Sequence, residues 1–299
     1  MPEGTTLGEA WRWGAGKLRQ AGAEEADADA ELLLLYALGI GKAALLRDWR
    51  DAFPAARAGA WLSLLERRMS GLPVQYAIGE QHFYGRAFKV SPDVLIPRPE
   101  TELLAEAVLE AADAVWTPGS GAAPVALDVG TGSGALAVTL AAERPAWRVF
   151  ASDISAAALG VARDNAEAHG VGGRVSFVRG DLLAPFVADG GNPQPIDVLV
   201  SNPPYVRSAD IPGLQREVRD HEPRLALDGG EDGLNPYRTM ARQLPSLPRL
   251  PGIVAWEVGA GQAEDAAALL RSVSRWREIR FVKDYAGIDR HVIAIGAFE

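Results

Sequence analysis

The chain contains no cysteine. That excludes disulfides, thiolate zinc sites and cysteine nucleophiles together. Histidine is also scarce: His82, His169, His221 and His291 are scattered and match no metal-ligand spacing, so no metal site is expected. Long apolar runs are missing. The longest of note, Leu32–Ile40, covers nine residues with Tyr36 inside it, whereas a membrane-spanning helix needs about 20, so no membrane partner is expected. The opening MPEGTTLGEAWRWG has no basic region followed by an apolar one, so no secretory signal is visible and a cytoplasmic location is expected. Basic charge is not in excess either: 30 Lys and Arg face 39 Asp and Glu, a net −9, and no long basic run appears. A duplex binder needs at least a local excess of Lys and Arg. An acidic average does not forbid a basic groove, but no stable nucleic-acid partner is expected. Lysine occurs only at 17, 42, 89 and 283, which with the abundance of alanine reads as compositional bias of the genome. Ser133 lies in Gly-Thr-Gly-Ser-Gly and not in Gly-x-Ser-x-Gly, so a hydrolase elbow is unsupported.

What is present is an ordinary globular composition, 48% hydrophobic and 23% charged over 299 residues, which suits one large domain or two unequal ones. Residues 1 to about 72 read as short helices. Leu7, Ala10, Trp11, Ala15 and Leu18 lie at helical spacing, and Ala28–Leu38, Ala43–Leu46 and Ala58–Met69 supply further pieces, punctuated by Pro54 and Gly71-Leu72-Pro73. His82–Val90 alternates around Gly85 as a hairpin does. After Pro97 and Pro99 a helix is expected over Thr101–Val115, with Thr101 near its N-cap. From 124 onward strands alternate with helices: Pro124–Val129, Arg148–Ala151, Arg174–Val178, Ile196–Val200, Ile253–Val258, Arg277–Lys283 and Val292–Ile295 are strands, and Ser133–Ala142, Ala156–His169 and Ala263–Ser272 are helices. That order implies a mostly parallel sheet with helices on both faces. The last two strands are close in sequence and suit an antiparallel pair. Stretches 117–124 and 189–195 read as surface loops.

Asp128-Val129-Gly130-Thr131-Gly132-Ser133-Gly134-Ala135-Leu136 lies between the first strand of this series and its helix. Glycines there let the backbone turn tightly and approach a ligand. With Ala135 the loop also passes as Gly-x-Gly-x-x-Gly/Ala, so a nicotinamide enzyme enters the comparison, but nothing resembling a hydride-transfer site accompanies it. Asp153, at the end of the next strand, suits the ribose hydroxyls of a nucleoside, or else an N-cap for the helix that follows; both roles fit neighbouring residues. Gly180-Asp181-Leu182 follows the third strand, where Asp181 suits an adenine amino group and Leu182 its ring face. Three such turns at successive strand ends carry weight together, because ligands of open parallel sheets bind along that edge.

Asn202-Pro203-Pro204-Tyr205 follows the fourth strand on the same edge. Two prolines fix the backbone and remove two N–H donors. The Asn202 side chain and the Pro203 carbonyl offer two acceptors, and Tyr205 offers a flat wall. That set suits a planar NH2 group. Such a nitrogen is a poor nucleophile because its lone pair is delocalised. Acceptors on both N–H bonds draw it toward pyramidal geometry and aim the lone pair, and alignment alone supplies several kcal/mol.

The Asn202–Tyr205 loop resembles that of class I S-adenosylmethionine-dependent methyltransferases acting on planar amino nitrogens, a set that includes nucleic-acid and protein-glutamine enzymes. The rest of the chain narrows the resemblance. Gly71-Leu72-Pro73-Val74-Gln75-Tyr76 with Gly79-Glu80, Phe83-Tyr84-Gly85 and Leu95–Glu102 resemble the PrmC/HemK family. So do Glu217-Val218, Glu222-Pro223, Ala226-Leu227, Gly230, Gly233-Leu234, Tyr237, Glu257-Val258-Gly259 and Gln262. The resemblance covers nearly the whole chain and is weakest over residues 1–30. It implies an α/β fold, a Rossmann-like class I methyltransferase sheet over 99–299 with a small N-terminal helical domain over 1–78 for release-factor recognition and a β-hairpin linker over 79–98. It implies methyl transfer from S-adenosyl-L-methionine, with S-adenosyl-L-homocysteine as product, to the glutamine side-chain amide of the Gly-Gly-Gln motif in class I peptide chain release factors. Carried over by position, Gly130, Thr131, Gly132, Ser133, Gly134, Asp153, Asp181 and Leu182 contact the cofactor, Asn202 to Tyr205 hold the glutamine, and Asn202 also lies near the cofactor. Catalysis falls to Asn202, Pro203 and Tyr205, and substrate contact extends to Pro204. In relatives an aromatic can occupy the position of Leu182, and leucine can still pack on adenine. Pro97–Thr101 either closes over the active site or links into the first helix. The main alternative is an amino-methyltransferase for an exocyclic nitrogen of a nucleic-acid base, which needs a module for a flipped base that the chain does not display. A binding protein with a vestigial site is the other, and the intact loop argues against it.

Overall fold

The computed structural model describes residues 4–116, 123–187 and 194–296. The chain divides into two compact units, one of Met1–Glu80 with Gln215–His221 and one of Gln81–Leu214 with Glu222–Glu299. The first is helical. Helix α1 (Leu7–Gln20) starts at Thr6, whose side chain accepts from the Glu9 N–H while the Glu9 carboxylate accepts from the Thr6 N–H, a reciprocal cap that satisfies two orphan donors. Helices α2 (Ala26–Leu38), α3 (Lys42–Arg47), α4 (Ala58–Met69) and α5 (Val74–Ile78) follow. Leu18, Leu33, Leu34, Trp61 and Leu65 form the buried centre.

The expected hairpin follows, β1 (Glu80–Phe83) and β2 (Arg86–Lys89), turning at Tyr84-Gly85, and the second unit begins within it at Gln81. Helix α6 (Pro99–Val115) begins two residues earlier than its pattern implies. Arg98 flanks it and Pro99 is its first residue, because proline presets the helical φ and lacks only an N–H that has no partner there. Thr101 is therefore inside the first turn and is not the N-cap. The alternation then runs β3 (Val125–Val129), α7 (Ala135–Glu143), β4 (Arg148–Asp153), α8 (Ala156–Ala168), β5 (Val175–Arg179) and β6 (Val198–Ser201). Helix α9 (Arg216–His221) belongs to the first unit, where Glu217 pairs with buried Arg68 at 3.0 Å and Arg68 pairs with buried Asp29 at 2.7 Å. Helix α10 (Asn235–Gln243), β7 (Ile253–Glu257), α11 (Ala263–Val273), β8 (Glu278–Lys283) and β9 (Asp289–Ile295) complete the second unit.

Its sheet has the order β5-β4-β3-β6-β7-β9-β8. The first five strands are parallel, and β9 runs antiparallel to both β7 and β8. Successive strand residues feed opposite layers. Ala126, Val198 and Val200 pack with α6 and α7, and Leu127, Leu199 and Trp256 pack with α10 and α11. Burial on both faces is why these strands read as unbroken apolar runs. Helices α5, α9 and α10 are not visible in the periodicity, since they are short and two of them begin at prolines or polar residues. Most of the loops expected at 117–124 and 189–195 lie outside the described residues. Among the described residues no helix is long and apolar enough to cross a membrane.

Candidate active site

Strand order reverses direction of growth at β3, with β4 on one side and β6 on the other. Ligands of such sheets bind beyond the carboxyl ends there. A cavity of about 300 Å³ occupies that position in the second unit. Its wall includes Gly130, Thr131, Gly132 and Ser133 from the loop after β3, Asp153 from β4, Asp181 and Leu182 after β5, and Asn202 and Pro204 after β6. Gly134, Pro203 and Tyr205 are not on that wall. Gly134 adopts φ 83° where α7 starts, and a Cβ there would come within 3.0 Å of the Ala162 methyl, so this glycine serves helix–helix packing. Pro203 is buried, and Tyr205 packs against the α10–α11 layer.

The carboxylates differ in what they hold. Asp153 accepts from the Gly132 N–H at 2.9 Å and the Ser155 N–H at 2.9 Å, and burial pushes its carboxyl up. The N-cap of α8 is Ser155, which accepts from Ala158 at 3.1 Å, so the two roles do fall on neighbours. Asp128 was not assigned to the site from sequence. It is fully buried, its Oδ2 accepts from the Thr131 hydroxyl at 2.6 Å and from the Ala137 N–H at 3.1 Å, and its Oδ1 has no partner among the described residues. Burial pushes it up to about 7. Leu182 adopts φ 49°, a region that costs a branched residue energy, and its side chain lies on the cavity wall. The signal for Asp128 is an acid at the last turn of a buried strand.

Behind the β6 loop lies a second layer. The Asn202 Nδ2 donates to Thr101 Oγ1 at 3.0 Å, and the Thr101 hydroxyl donates to Glu257 Oε2 at 2.7 Å. Thr101 and Glu257 are buried. Burial pushes Glu257 up to about 7 against the hydrogen bonds that hold it down, and burial with the Glu257 charge pushes the Tyr205 phenol up to about 12. The Tyr205 carbonyl accepts from Gln262 Nε2 at 3.1 Å, and Gln262 Oε1 accepts from the Gly259 N–H at 2.9 Å. Val206 donates to the Leu227 carbonyl and accepts from the Gly229 N–H, an isolated bridge to the 227–229 loop. The loop is thus held from three sides. On the other wall, Glu222 accepts from Arg98 at 2.5 Å and from the Ile96 N–H at 3.1 Å, which fixes Pro97 and Arg98 against the cavity. Pro223, Leu225 and Ala226 add an apolar rim that sequence reading did not assign.

This geometry offers acceptors at three strand ends, a glycine floor and one unpartnered buried carboxylate oxygen. Comparison with known proteins shows the family. The PrmC N-terminal domain family matches residues 9–79 and the methyltransferase small domain family matches residues 101–229. A release factor glutamine methyltransferase of Moorella thermoacetica is 42% identical over 288 residues, covering 96% of each chain. That of Bacillus anthracis is 40% identical over 286 residues, covering 96% of this chain and 98% of its own.

The chain belongs to the release factor glutamine methyltransferase family.

A member from Chlorobaculum tepidum is 44% identical over 269 residues, or 89% of each chain. Among solved structures, the N-terminal domain of human METTL16 aligns with a TM-score of 0.54 at 13% identity, covering 83% of this chain and 85% of that one. A structure of the same human domain in complex with SAH aligns at 0.52 and 13% identity, covering 82% and 84%. These two share the fold, a Rossmann-like methyltransferase sheet. The expected family and fold class are both borne out.

Proposed function

We propose that this chain methylates the side-chain amide nitrogen of the glutamine in the Gly-Gly-Gln motif of class I peptide chain release factors, with S-adenosyl-L-methionine as donor. The observation that carries the reading is near-full-length identity of about 40% with enzymes named for that reaction. When bound, S-adenosyl-L-methionine supplies a methyl group on a sulfonium, and its loss leaves neutral S-adenosyl-L-homocysteine. The cavity residues suit that group. The glycine loop brings backbone close, Asp153 and Asp181 are acceptors for hydroxyl and amino groups, Leu182 is an apolar face for a purine, and Asp128 holds an unpartnered oxygen for a cationic or N–H group.

In this reading Asn202 and Pro203 take the glutamine NH2. With its Nδ2 committed to Thr101, Asn202 presents Oδ1 as one acceptor, and the Pro203 carbonyl is the other. Tyr205 walls the amide plane, and Pro204 and Asn202 border the donor cavity. Two acceptors on one NH2 pull electron density toward nitrogen and orient the lone pair. The nitrogen would become acidic only as it gains the methyl, so its proton would leave late, through the acceptor oxygens to solvent water, and no strong base is needed first. The N-terminal helical domain serves release-factor recognition, and the reaction takes place in the cytoplasm, where release factors meet ribosomes.

Purified protein, labelled S-adenosyl-L-methionine and a release factor from the same source test this directly. A factor with Gln→Ala in Gly-Gly-Gln is the control. Label on the native factor alone is expected. Label on neither, with donor binding intact, rejects the reading and makes RNA and DNA the next acceptors.

A further inference from the structure

Planar amides look alike from both ends, so a site that uses Asn202 Oδ1 as an acceptor must also prevent the side chain from flipping. The buried layer behind it can do so. A hydroxyl has one proton. The Thr101 proton is directed at Glu257 Oε2, 2.7 Å away, and an ionised carboxylate only accepts. Thr101 Oγ1 then has only lone pairs for Asn202, 3.0 Å away, and can meet Nδ2 but not Oδ1. We propose that Thr101 and Glu257 are positioning residues that set the polarity of this hydrogen-bond chain and thereby keep the Asn202 carbonyl oxygen turned toward the acceptor amide. The inference rests on the function proposed above.

The chain can also run backwards. A protonated Glu257 donates to Thr101 Oγ1, Thr101 then donates to Asn202 Oδ1, and Nδ2 is turned to the substrate. A donor there repels an NH2 that needs an acceptor. Glu257 is faced by Arg290 and His291 from β9, by Glu100 and Thr101 from α6, by Asn202 and Tyr205 from the β6 loop, and by Tyr237 of α10, whose hydroxyl donates to its backbone carbonyl at 2.6 Å. His291 is fully buried with Nε2 3.8 Å from Glu257 Oε2, and burial holds it neutral, down to about 4, so it does not compensate the carboxylate. Arg290 is the cation that favours ionisation, and Glu100 opposes it. The polarity of the chain thus depends on the Glu257 proton, and the observed burial puts that proton in exchange near neutral pH.

The test compares Thr101→Ser, Thr101→Ala, Thr101→Val and Glu257→Gln with the wild type. Readouts are kcat and KM on the release factor from pH 6 to 9, donor affinity by calorimetry, and thermal midpoints. Thr101→Ser keeps the hydroxyl and is expected within about 3-fold of wild-type kcat. Thr101→Ala and Thr101→Val are expected to lose about 10²-fold in kcat, the scale of a misplaced reacting group, with donor affinity within about 3-fold. Glu257→Gln does not titrate and can meet Thr101 through either end of its amide, so the acid limb of the wild-type profile is expected to be gone and kcat to be reduced about 10-fold at every pH. Wild-type kcat in Thr101→Ala overturns the proposal. So does an equal loss in Thr101→Ser accompanied by a fallen midpoint, which marks a structural role. A second readout does not depend on the substrate. The Asn202 side-chain amide protons, assigned by their loss in Asn202→Ala, are expected to be protected from exchange in the wild type and in Thr101→Ser, and less protected in Thr101→Ala, where only the contact with the Glu257 carboxylate remains. If the wild type fails to methylate the release factor, the proposed function falls while this exchange readout still decides the positioning; undiminished protection in Thr101→Ala rejects it.

Discussion

Asn202 carries two duties with one side chain, since its amide lines the donor cavity and its nitrogen is already committed to Thr101. Removing it deletes an acceptor that matters most once the substrate nitrogen begins to gain charge, while the donor keeps its glycine floor and carboxylates. Asn202→Ala is therefore expected to lower kcat by about 10²–10³-fold, as loss of one preorganised polar partner does, with donor affinity within about 3-fold. Single-turnover rates and calorimetry check this, and normal turnover would sink the assignment. Asp128 differs in kind. It spends Oδ2 on Thr131 and Ala137 and keeps Oδ1 unpartnered in a buried place, so Asp128→Asn is expected to weaken donor binding about 10-fold or more with kcat at saturation changed less. Equal donor affinity in that variant would show that the oxygen faces no ligand.

Elements place these residues through close packing that tolerates no extra atom. Gly233 has φ 80°, and a Cβ on it would overlap the Tyr205 carbonyl and Gln262 Nε2, the pair that anchors the loop after β6. Gly233→Ala must push that loop, so its effect on kcat, about 10²-fold, is expected to exceed what its stability loss of about 1–3 kcal/mol would suggest. Parallel urea unfolding and kinetics separate the two. The same packing explains what the sequence disclosed. Strands β3, β4, β6 and β7 are buried on both faces and carry Asp128, Asp153, Ser201 and Glu257 at or next to their carboxyl ends, so their apolar runs and the turns after them are local signals. Gly130–Gly134, Asp153, Asp181 and Asn202–Tyr205 were legible for that reason. Thr101 reads as a cap because a threonine after Arg-Pro-Glu suits one locally. Its partner Glu257 is 156 residues away, and no local pattern encodes that pairing. Helix α10 buries Tyr237, Met240 and Ala241 at helical spacing, but at nine residues it offers a single repeat of the pattern, set between loops rich in glycine and proline. Leu225 and Pro223 join the cavity wall through a loop whose path depends on Glu222 reaching Arg98, which is again a tertiary fact.

At the scale of the whole molecule, buried ionisable groups make stability depend on pH in a direction opposite to ordinary acid denaturation. Asp128 and Glu257 are both pushed up to about 7 by burial, from ordinary values of 3.8 and 4.5. A carboxyl whose folded value is raised is protonated in the folded state when the unfolded chain has already released its proton. The folded state then binds more protons, and unfolding free energy falls as pH rises from about 4 to about 7. The carboxyls contribute roughly 3–4 kcal/mol each across that window. His291 acts the other way. Burial lowers it from 6.5 to about 4, so the unfolded chain binds the extra proton between those values and stability rises with pH there. The raw curve of the wild type therefore mixes opposed slopes. The difference between wild type and Asp128→Asn isolates one of them, because the asparagine does not titrate. Urea midpoints at pH 5, 6, 7 and 8, without donor, are expected to show the variant gaining on the wild type as pH rises and the gap levelling above about 7. Parallel curves for the two proteins would mean that Asp128 ionises as an exposed carboxyl does, and that its unpartnered oxygen is hydrated rather than held dry for a ligand.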